Sequence, residues 1–279
     1  MKAVGSGVIA YDVGVGKTVT AIITLANEIY SGKCKRPVIV VPNPTYRKWI
    51  REIFGYEDEK TKEFVPGVLS HTGITVNDWY NLGKTYLNKI DLTQPVPEKS
   101  ITMLTFEGFA KLGYSKRLMD KLFEELSLIL AQEDDNENKT SRRDMEKEFQ
   151  KYRELIGTGN KGTVVDVDTM LFDYLIIDEA HNFRNVFSYV PTDVQGNKRF
   201  KIQTNGSARA KKAFFVCNYI QRTYGSNVML LTATPFTNNP VEIYSVCSLV
   251  GWNQMRDMGI ENLYNFMETF ILQSLEYVN

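Results

Sequence analysis

Five residues, Gly14-Val15-Gly16-Lys17-Thr18, constrain what this chain can fold into more than any other stretch of it. An apolar run, Val8-Ile9-Ala10-Tyr11, leads into them. A helical pattern follows from Thr18 to about Tyr30, where Ile22, Leu25, Ala26 and Ile29 recur at spacings of three and four before Gly32. Strand, glycine turn and helix in that order are the setting of a phosphate-binding loop, or P-loop. Glycines let backbone N–H groups close around phosphate oxygens, and the positive end of the helix dipole faces the same point. In that reading Asp12, Gly14, Val15, Gly16, Lys17 and Thr18 form the nucleotide-binding loop. Lys17 reaches the β- and γ-phosphates and the Thr18 hydroxyl ligates Mg²⁺. The strict pattern has a glycine five residues before Gly16, where this chain has Tyr11, so a glycine turn with a chance Lys-Thr stays open on this motif alone.

The rhythm continues. Pro37-Val38-Ile39-Val40-Val41-Pro42 reads as a buried strand, and Asn43 to Phe54 as a helix with Trp49, Ile50 and Ile53 on one side. Ile101 to Thr105 is a strand running into helical Phe106 to Leu112. Phe172 to Asp178 and Val228 to Thr232 are further strands, and Ser207 to Tyr224 and Pro240 to Val250 are helices. The expected fold class is therefore α/β: a mostly parallel sheet of four or more strands with helices on both faces. Such sheets place ligands at the C-terminal ends of their strands.

Two of those ends carry chemistry. Asp178-Glu179-Ala180-His181 follows a buried strand, so that Asp178 can hold the metal that Thr18 touches. Glu179 beside it can orient and deprotonate water, acting as the base. A pair of acids capping the next helix is the plainer alternative. Thr232-Ala233-Thr234-Pro235 ends the later strand, with hydroxyls able to bond both to the acidic motif and to a neighbouring site.

Charge and cysteine content remove whole classes. Lys+Arg and Asp+Glu both number 33, which excludes a polycation that coats nucleic acid but leaves room for a local basic groove. Cys34, Cys217 and Cys247 are odd in number and far apart, and there are two histidines, so neither a disulfide framework nor a zinc spacing is present. No apolar run approaches the length that spans a bilayer, and the first ten residues lack a signal-peptide pattern. These features point to a cytoplasmic protein with no membrane partner.

The P-loop, the strand-end Asp178-Glu179-Ala180-His181 and Thr232-Ala233-Thr234-Pro235, in this order, resemble motifs I, II and III of superfamily 2 helicases and translocases. Thr234-Pro235-Phe236-Thr237-Asn238-Asn239 with Glu242-Ile243-Tyr244 resembles the Swi/Snf-type branch, as do Trp49 downstream of Val41-Pro42 and Thr105-Phe106-Glu107. His181-Asn182-Phe183-Arg184-Asn185 and Gly259-Ile260-Glu261-Asn262 look most like the helicase part of large DNA methyltransferase–helicase polypeptides of phages and mobile elements. The likeness runs from about Val8 to Ile271. It implies a RecA-like first lobe over residues 1–279 that uses ATP and Mg²⁺, with Lys17, Asp178 and Glu179 catalytic. His181, Thr232 and Thr234 would couple ATP state to DNA, and Pro42, Asn43 and Thr105 would contact the backbone of one strand of a duplex.

The resemblance also implies partners. The upstream adenine-reading glutamine, a second RecA-like lobe and its arginine finger are absent from these residues, as is any methyltransferase signature. The expectation is half of a motor, nearly inert alone, whose parent chain supplies the second lobe and, in that family, a methyltransferase domain. A restriction-type translocase shares all three motifs, and a nucleotide-gated DNA-binding module that does not cycle is the reading from another class.

Two segments break the α/β rhythm. Residues 115–157 read as an inserted helical hairpin, with Leu118, Leu122, Leu126 and Ile129 on one arm and Met145, Phe149, Tyr152 and Ile156 on the other. Glu133 to Asn138 forms an acidic tip. A structural decoration is favoured over a partner-touching arm, since charge runs are usually solvated faces. Arg184 to Lys212 holds seven basic residues against Asp193 alone, either an extension of a DNA track or a solvated loop.

Overall fold

The computed structural model describes residues 5–80, 82, 91–133, 142–157, 165–187, 206–237 and 239–270. Six strands form one sheet: β1 (Gly7–Ala10), β2 (Pro37–Val41), β3 (Thr75–Asp78), β4 (Ser100–Thr105), β5 (Tyr174–Ile177) and β6 (Val228–Thr232). Their spatial order is β1-β6-β5-β2-β4-β3, and every neighbouring pair is parallel. The central strands are buried along their whole length, as β2 and β4 show. That is the signature of a parallel sheet covered on both sides.

Alternate residues of each strand feed two cores. Ile39, Val41, Met103, Ile176 and Leu231 pack against helices α1 (Lys17–Tyr30) and α2 (Asn43–Phe54). Val38, Val40, Leu104, Ile177 and Leu230 face the opposite layer, which includes α5 (Ala208–Tyr224) and α6 (Pro240–Val250). The expected α/β class, with helices on both faces, is what the chain adopts. Helix ends follow from local chemistry: the Ser207 hydroxyl accepts from Ala210 N–H at the start of α5, and Gly225 at φ 79° closes it. Buried positions run almost the full circumference of α5, because it lies between the sheet and outer elements.

The expected helix from Phe106 to Leu112 is shorter than its sequence suggests. Helix α3 spans Phe106–Phe109, and Leu112–Gly113 instead pairs in parallel with Val165–Asp166. The Lys111 carbonyl accepts from Val165 N–H at 2.9 Å, and Leu112 and Tyr114 are both buried. Burying these side chains in an extended backbone displaces the last helical turn.

The inserted segment is helical on both described arms. One runs Lys116–Leu118, a π-helical Met119–Phe123 and Glu124–Glu133; the other is α4 (Arg142–Ile156). The acidic tip from Asp134 onward lies outside the described residues. The arms meet through Phe123 and Phe149, and Phe123 stacks on Phe215 of α5 at 5.9 Å. Arg222 holds Glu125 through two bonds of 2.8 Å, and Lys212 Nζ donates to the Leu155 carbonyl at 2.6 Å. Burial lowers the Lys212 pKa to about 7. These contacts make the described part of the insertion an outer layer of the core. Among the described residues, no helix is long and apolar enough to cross a membrane.

Candidate active site

Register puts the candidate residues on one edge. Ala10 of β1 lies opposite Thr232 of β6, and Leu230 of β6 opposite Ile177 of β5. The glycine loop, Asp178-Glu179 and Thr232-Ala233-Thr234 therefore leave three adjacent strands at their C-terminal ends, although they lie far apart in sequence.

The loop itself is built by glycine conformation. Gly14 and Gly16 sit at φ 84° and 92°, and a Cβ on either would meet nothing within 4 Å, so it is the left-handed backbone and not crowding that calls for glycine. Gly16 caps α1 without a side-chain acceptor. Asp12 Oδ1 accepts from Val13 N–H at 2.7 Å, which tightens the turn, and Val15 stands exposed. Lys17 Nζ bridges the loop by donating to the carbonyls of Tyr11 at 2.9 Å and Asp12 at 3.1 Å. Thr18 is half-buried in the first turn of α1.

Asp178 ends β5 with its N–H bonded to the Val40 carbonyl at 2.8 Å, and its carboxylate is buried. Oδ2 accepts from Trp49 Nε1 at 2.8 Å and Oδ1 from Glu179 N–H at 2.9 Å. Burial raises the Asp178 pKa; the two donated hydrogen bonds and the charge of Lys17 oppose that rise, and the Glu179 carboxylate adds to it. Glu179 takes a left-handed backbone, φ 49° and ψ 47°, which costs a non-glycine residue about 1 kcal/mol or more. Its Oε2 lies 3.2 Å from His181 Nδ1, and that nitrogen lies 3.4 Å from Thr232 Oγ1. Asn182 Nδ2 lies 3.2 Å from His181 Nε2 and also donates to the Glu179 carbonyl at 2.9 Å. With the amide so oriented, Nε2 accepts and the ring proton belongs on Nδ1, between the carboxylate and the threonine. Thr232 Oγ1 in turn accepts from Thr234 N–H at 3.1 Å.

Two residues that entered the sequence reading only through the family resemblance, with no role assigned, take part in the site. Trp49 lies far from the acids along the chain, and only the pairing of β2 with β5 brings α2 over Asp178. Glu242 follows the Asn239 cap by three residues, the spacing of an ordinary first-turn acid. Its buried carboxylate instead accepts from Thr237 N–H at 2.8 Å and pairs with Arg184 Nε at 3.0 Å. The segment after the acidic motif is thereby tied to the loop after β6.

The nucleic-acid candidates share the same sheet edge on its other half. Val41 is in register with Thr105, so Pro42, Asn43 and Thr105 emerge side by side from β2 and β4. Asn43 is exposed, whereas Thr105 is buried and its hydroxyl accepts from Gly108 N–H at 3.1 Å to cap α3. Where it is described, the basic segment is partly committed to the fold, with Arg209 left exposed. Arg184 pairs with Glu242, Arg209 lies over Phe106, Lys211 lies over Tyr152, and Lys212 is buried. Lys198, Arg199 and Lys201 lie outside the described residues.

Among the described residues, no group of three or more His, Cys, Asp or Glu side chains could hold a metal by itself. The Asp178 carboxylate and the Thr18 hydroxyl are hard oxygen donors, few in number, and so suit Mg²⁺, which is usually held by one or two protein ligands together with substrate phosphates and waters.

No family model matches the chain. Defense against restriction protein B of Escherichia phage P1 is 22% identical over a 315-residue alignment that covers 99% of this chain. The chain spans 14% of the length of that curated relative. Among solved structures, the Sulfolobus solfataricus SWI2/SNF2 ATPase core in complex with dsDNA is similar with a TM-score of 0.45 and 13% identity, over 96% of this chain and 35% of that one.

Proposed function

We propose that this chain is the ATP-binding first lobe of a DNA translocase or helicase, of the RecA-like, Swi/Snf-type class that its motifs resemble. The observation that carries the reading is the contact chain from Glu179 through His181 to Thr232, at 3.2 and 3.4 Å, beside a P-loop on the adjacent strand. A turn that merely caps a helix has no need of acid, imidazole and hydroxyl in series.

In this reading the loop N–H groups and Lys17 bind the triphosphate, Lys17 exchanging the carbonyls of Tyr11 and Asp12 for phosphate oxygens. Thr18 and Asp178 hold Mg²⁺, which when bound neutralises charge on the phosphate oxygens. Glu179, half-exposed and set apart from Asp178 by its left-handed backbone, orients water and takes its proton. His181 and Thr232 relay the state of that carboxylate to the loop around Thr234. DNA is contacted along its backbone near Pro42 and Asn43, which positions the lobe without reading sequence. The second RecA-like lobe, and a methyltransferase domain, belong to the parent chain in this proposal. The phage relative is named for defence against restriction, which makes duplex DNA the first nucleic acid to test.

The test is calorimetry with ATP and Mg²⁺, beside ATP hydrolysis with and without duplex DNA. Weak binding with negligible turnover by the 279 residues, and DNA-stimulated turnover once a second lobe is joined, is the expected result. Absence of nucleotide binding overturns the proposal. Binding without turnover even in the two-lobed protein favours a module that does not cycle.

A further inference from the structure

The Asp178 carboxylate is held by a group from another layer of the fold. Trp49 sits in the middle of α2, buried between that helix and the sheet, and its indole N–H points at Asp178 Oδ2 at 2.8 Å. Burying an indole N–H without a partner is costly, so the bond is as much a requirement of Trp49 as of Asp178. The helix that carries it is fixed in turn. The Tyr46 hydroxyl lies 2.7 Å from Asp78 Oδ1 and 3.0 Å from the Met103 carbonyl, one turn before Trp49, and Arg47 pairs with the other oxygen of Asp78 at 3.0 Å. The same helix begins at Asn43, beside Pro42.

We propose that Trp49 is the positioning residue for the metal-binding carboxylate of Asp178, holding Oδ2 through its indole N–H so that the carboxylate keeps one orientation. This rests on the nucleotide-site reading above and deepens it. A carboxylate at a strand end has free rotation about its last bond. Two donors, Trp49 Nε1 on Oδ2 and Glu179 N–H on Oδ1, fix that rotation and leave the remaining lone pair of each oxygen for a cation. Partners of this kind around a metal-binding carboxylate contribute 10- to 100-fold in metal affinity, by the general behaviour of groups that orient metal ligands. Because α2 also begins at the proposed DNA contacts, a shift of this helix on DNA binding would be felt at Asp178 through one hydrogen bond.

The experiment is calorimetric titration with ADP in saturating Mg²⁺ and again in EDTA, on the wild-type chain and on Trp49→Phe, with thermal melting alongside. Trp49→Phe keeps a buried ring and removes the donor. The expected result is a 10- to 100-fold loss in the Mg²⁺-dependent part of binding, with affinity in EDTA unchanged, since the indole N–H is bonded to Asp178 and not to the phosphate-binding loop. Equal loss in both conditions means a general packing role and overturns the proposal, as does full Mg²⁺ dependence in a folded variant. If the wild-type chain binds no nucleotide, the underlying reading fails instead. A second measurement needs no Trp49 variant in the binding assay. In the ¹⁵N-labelled wild-type chain, with Trp79 and Trp252 assigned by their own Phe substitutions, the Trp49 indole resonance should move on adding Mg²⁺ to the ADP complex. An unmoved resonance, while nucleotide binding responds to Mg²⁺, overturns the proposal even where Trp49→Phe does not fold.

Discussion

The C-terminal edge of the sheet has two halves that use their polar groups differently. At the ends of β1, β6 and β5, Lys17, Glu179 and His181 are at least partly exposed and bonded mainly to one another or to their own loop. At the ends of β2, β4 and β3, Thr105 is spent on capping α3. Asp78 accepts from Arg47 and from Tyr80 N–H, with the Tyr46 hydroxyl on the oxygen it shares with Tyr80. One half holds side chains in a state ready to change partners, and the other half has committed them to the fold. The proposed function assigns chemistry to the first half and leaves the second with exposed helix-start groups such as Asn43, the proposed contacts to a phosphate backbone.

The sharpest way to break this comparison is Lys17→Ala. Its ammonium is hydrogen-bonded to two loop carbonyls at 2.9 and 3.1 Å, which water can solvate once it is gone, so folding should survive. Nucleotide affinity should fall by roughly 100-fold or more, about 2.7 kcal/mol, as read by calorimetry. Glu179→Gln separates binding from chemistry. The amide keeps the shape and can still meet His181, so affinity should stay within about threefold, whereas turnover in the two-lobed protein should fall by about 10² to 10⁴. Equal loss of binding in both variants would remove the base from Glu179.

Much of this arrangement is legible in the sequence because parallel strands are continuous apolar runs and their C-terminal ends carry the polar motif. Gly14 to Thr18, Asp178-Glu179 and Thr232 to Thr234 announce themselves that way, as do the bounds of α2 and α6. What stayed hidden depended on partners far away in the chain. β3 reads Thr-Val-Asn-Asp, too short and polar to stand out, and becomes a strand because it pairs with β4, with Asn77 bonded to Ser100 and Thr102. Trp49 and Glu242 sit at ordinary helical positions, and their roles follow from which carboxylate or cation the fold sets opposite them. The helix expected beyond Phe109 failed for the same reason: Val165 offered Lys111 a sheet bond that no local pattern encodes.

The smaller effects test the second half of the edge. Thr105→Val removes the hydroxyl that caps α3 while keeping shape and β-branching, so it should cost about 1 kcal/mol of stability, within the range of lost helix caps. It should not change DNA affinity in the two-lobed protein, because the hydroxyl is buried and already occupied. Asn43→Ala has the opposite profile. Asn43 is exposed and makes no side-chain bond that the core depends on, so melting should be unchanged. One lost neutral hydrogen bond to a phosphate oxygen is worth about 0.5–1.5 kcal/mol, or roughly two- to tenfold in DNA affinity. The loss should be the same for every DNA sequence, since a phosphate contact carries no base information. A DNA defect in Thr105→Val together with none in Asn43→Ala would reverse the assignment, placing the contact at the end of β4 and leaving the start of α2 as structure alone.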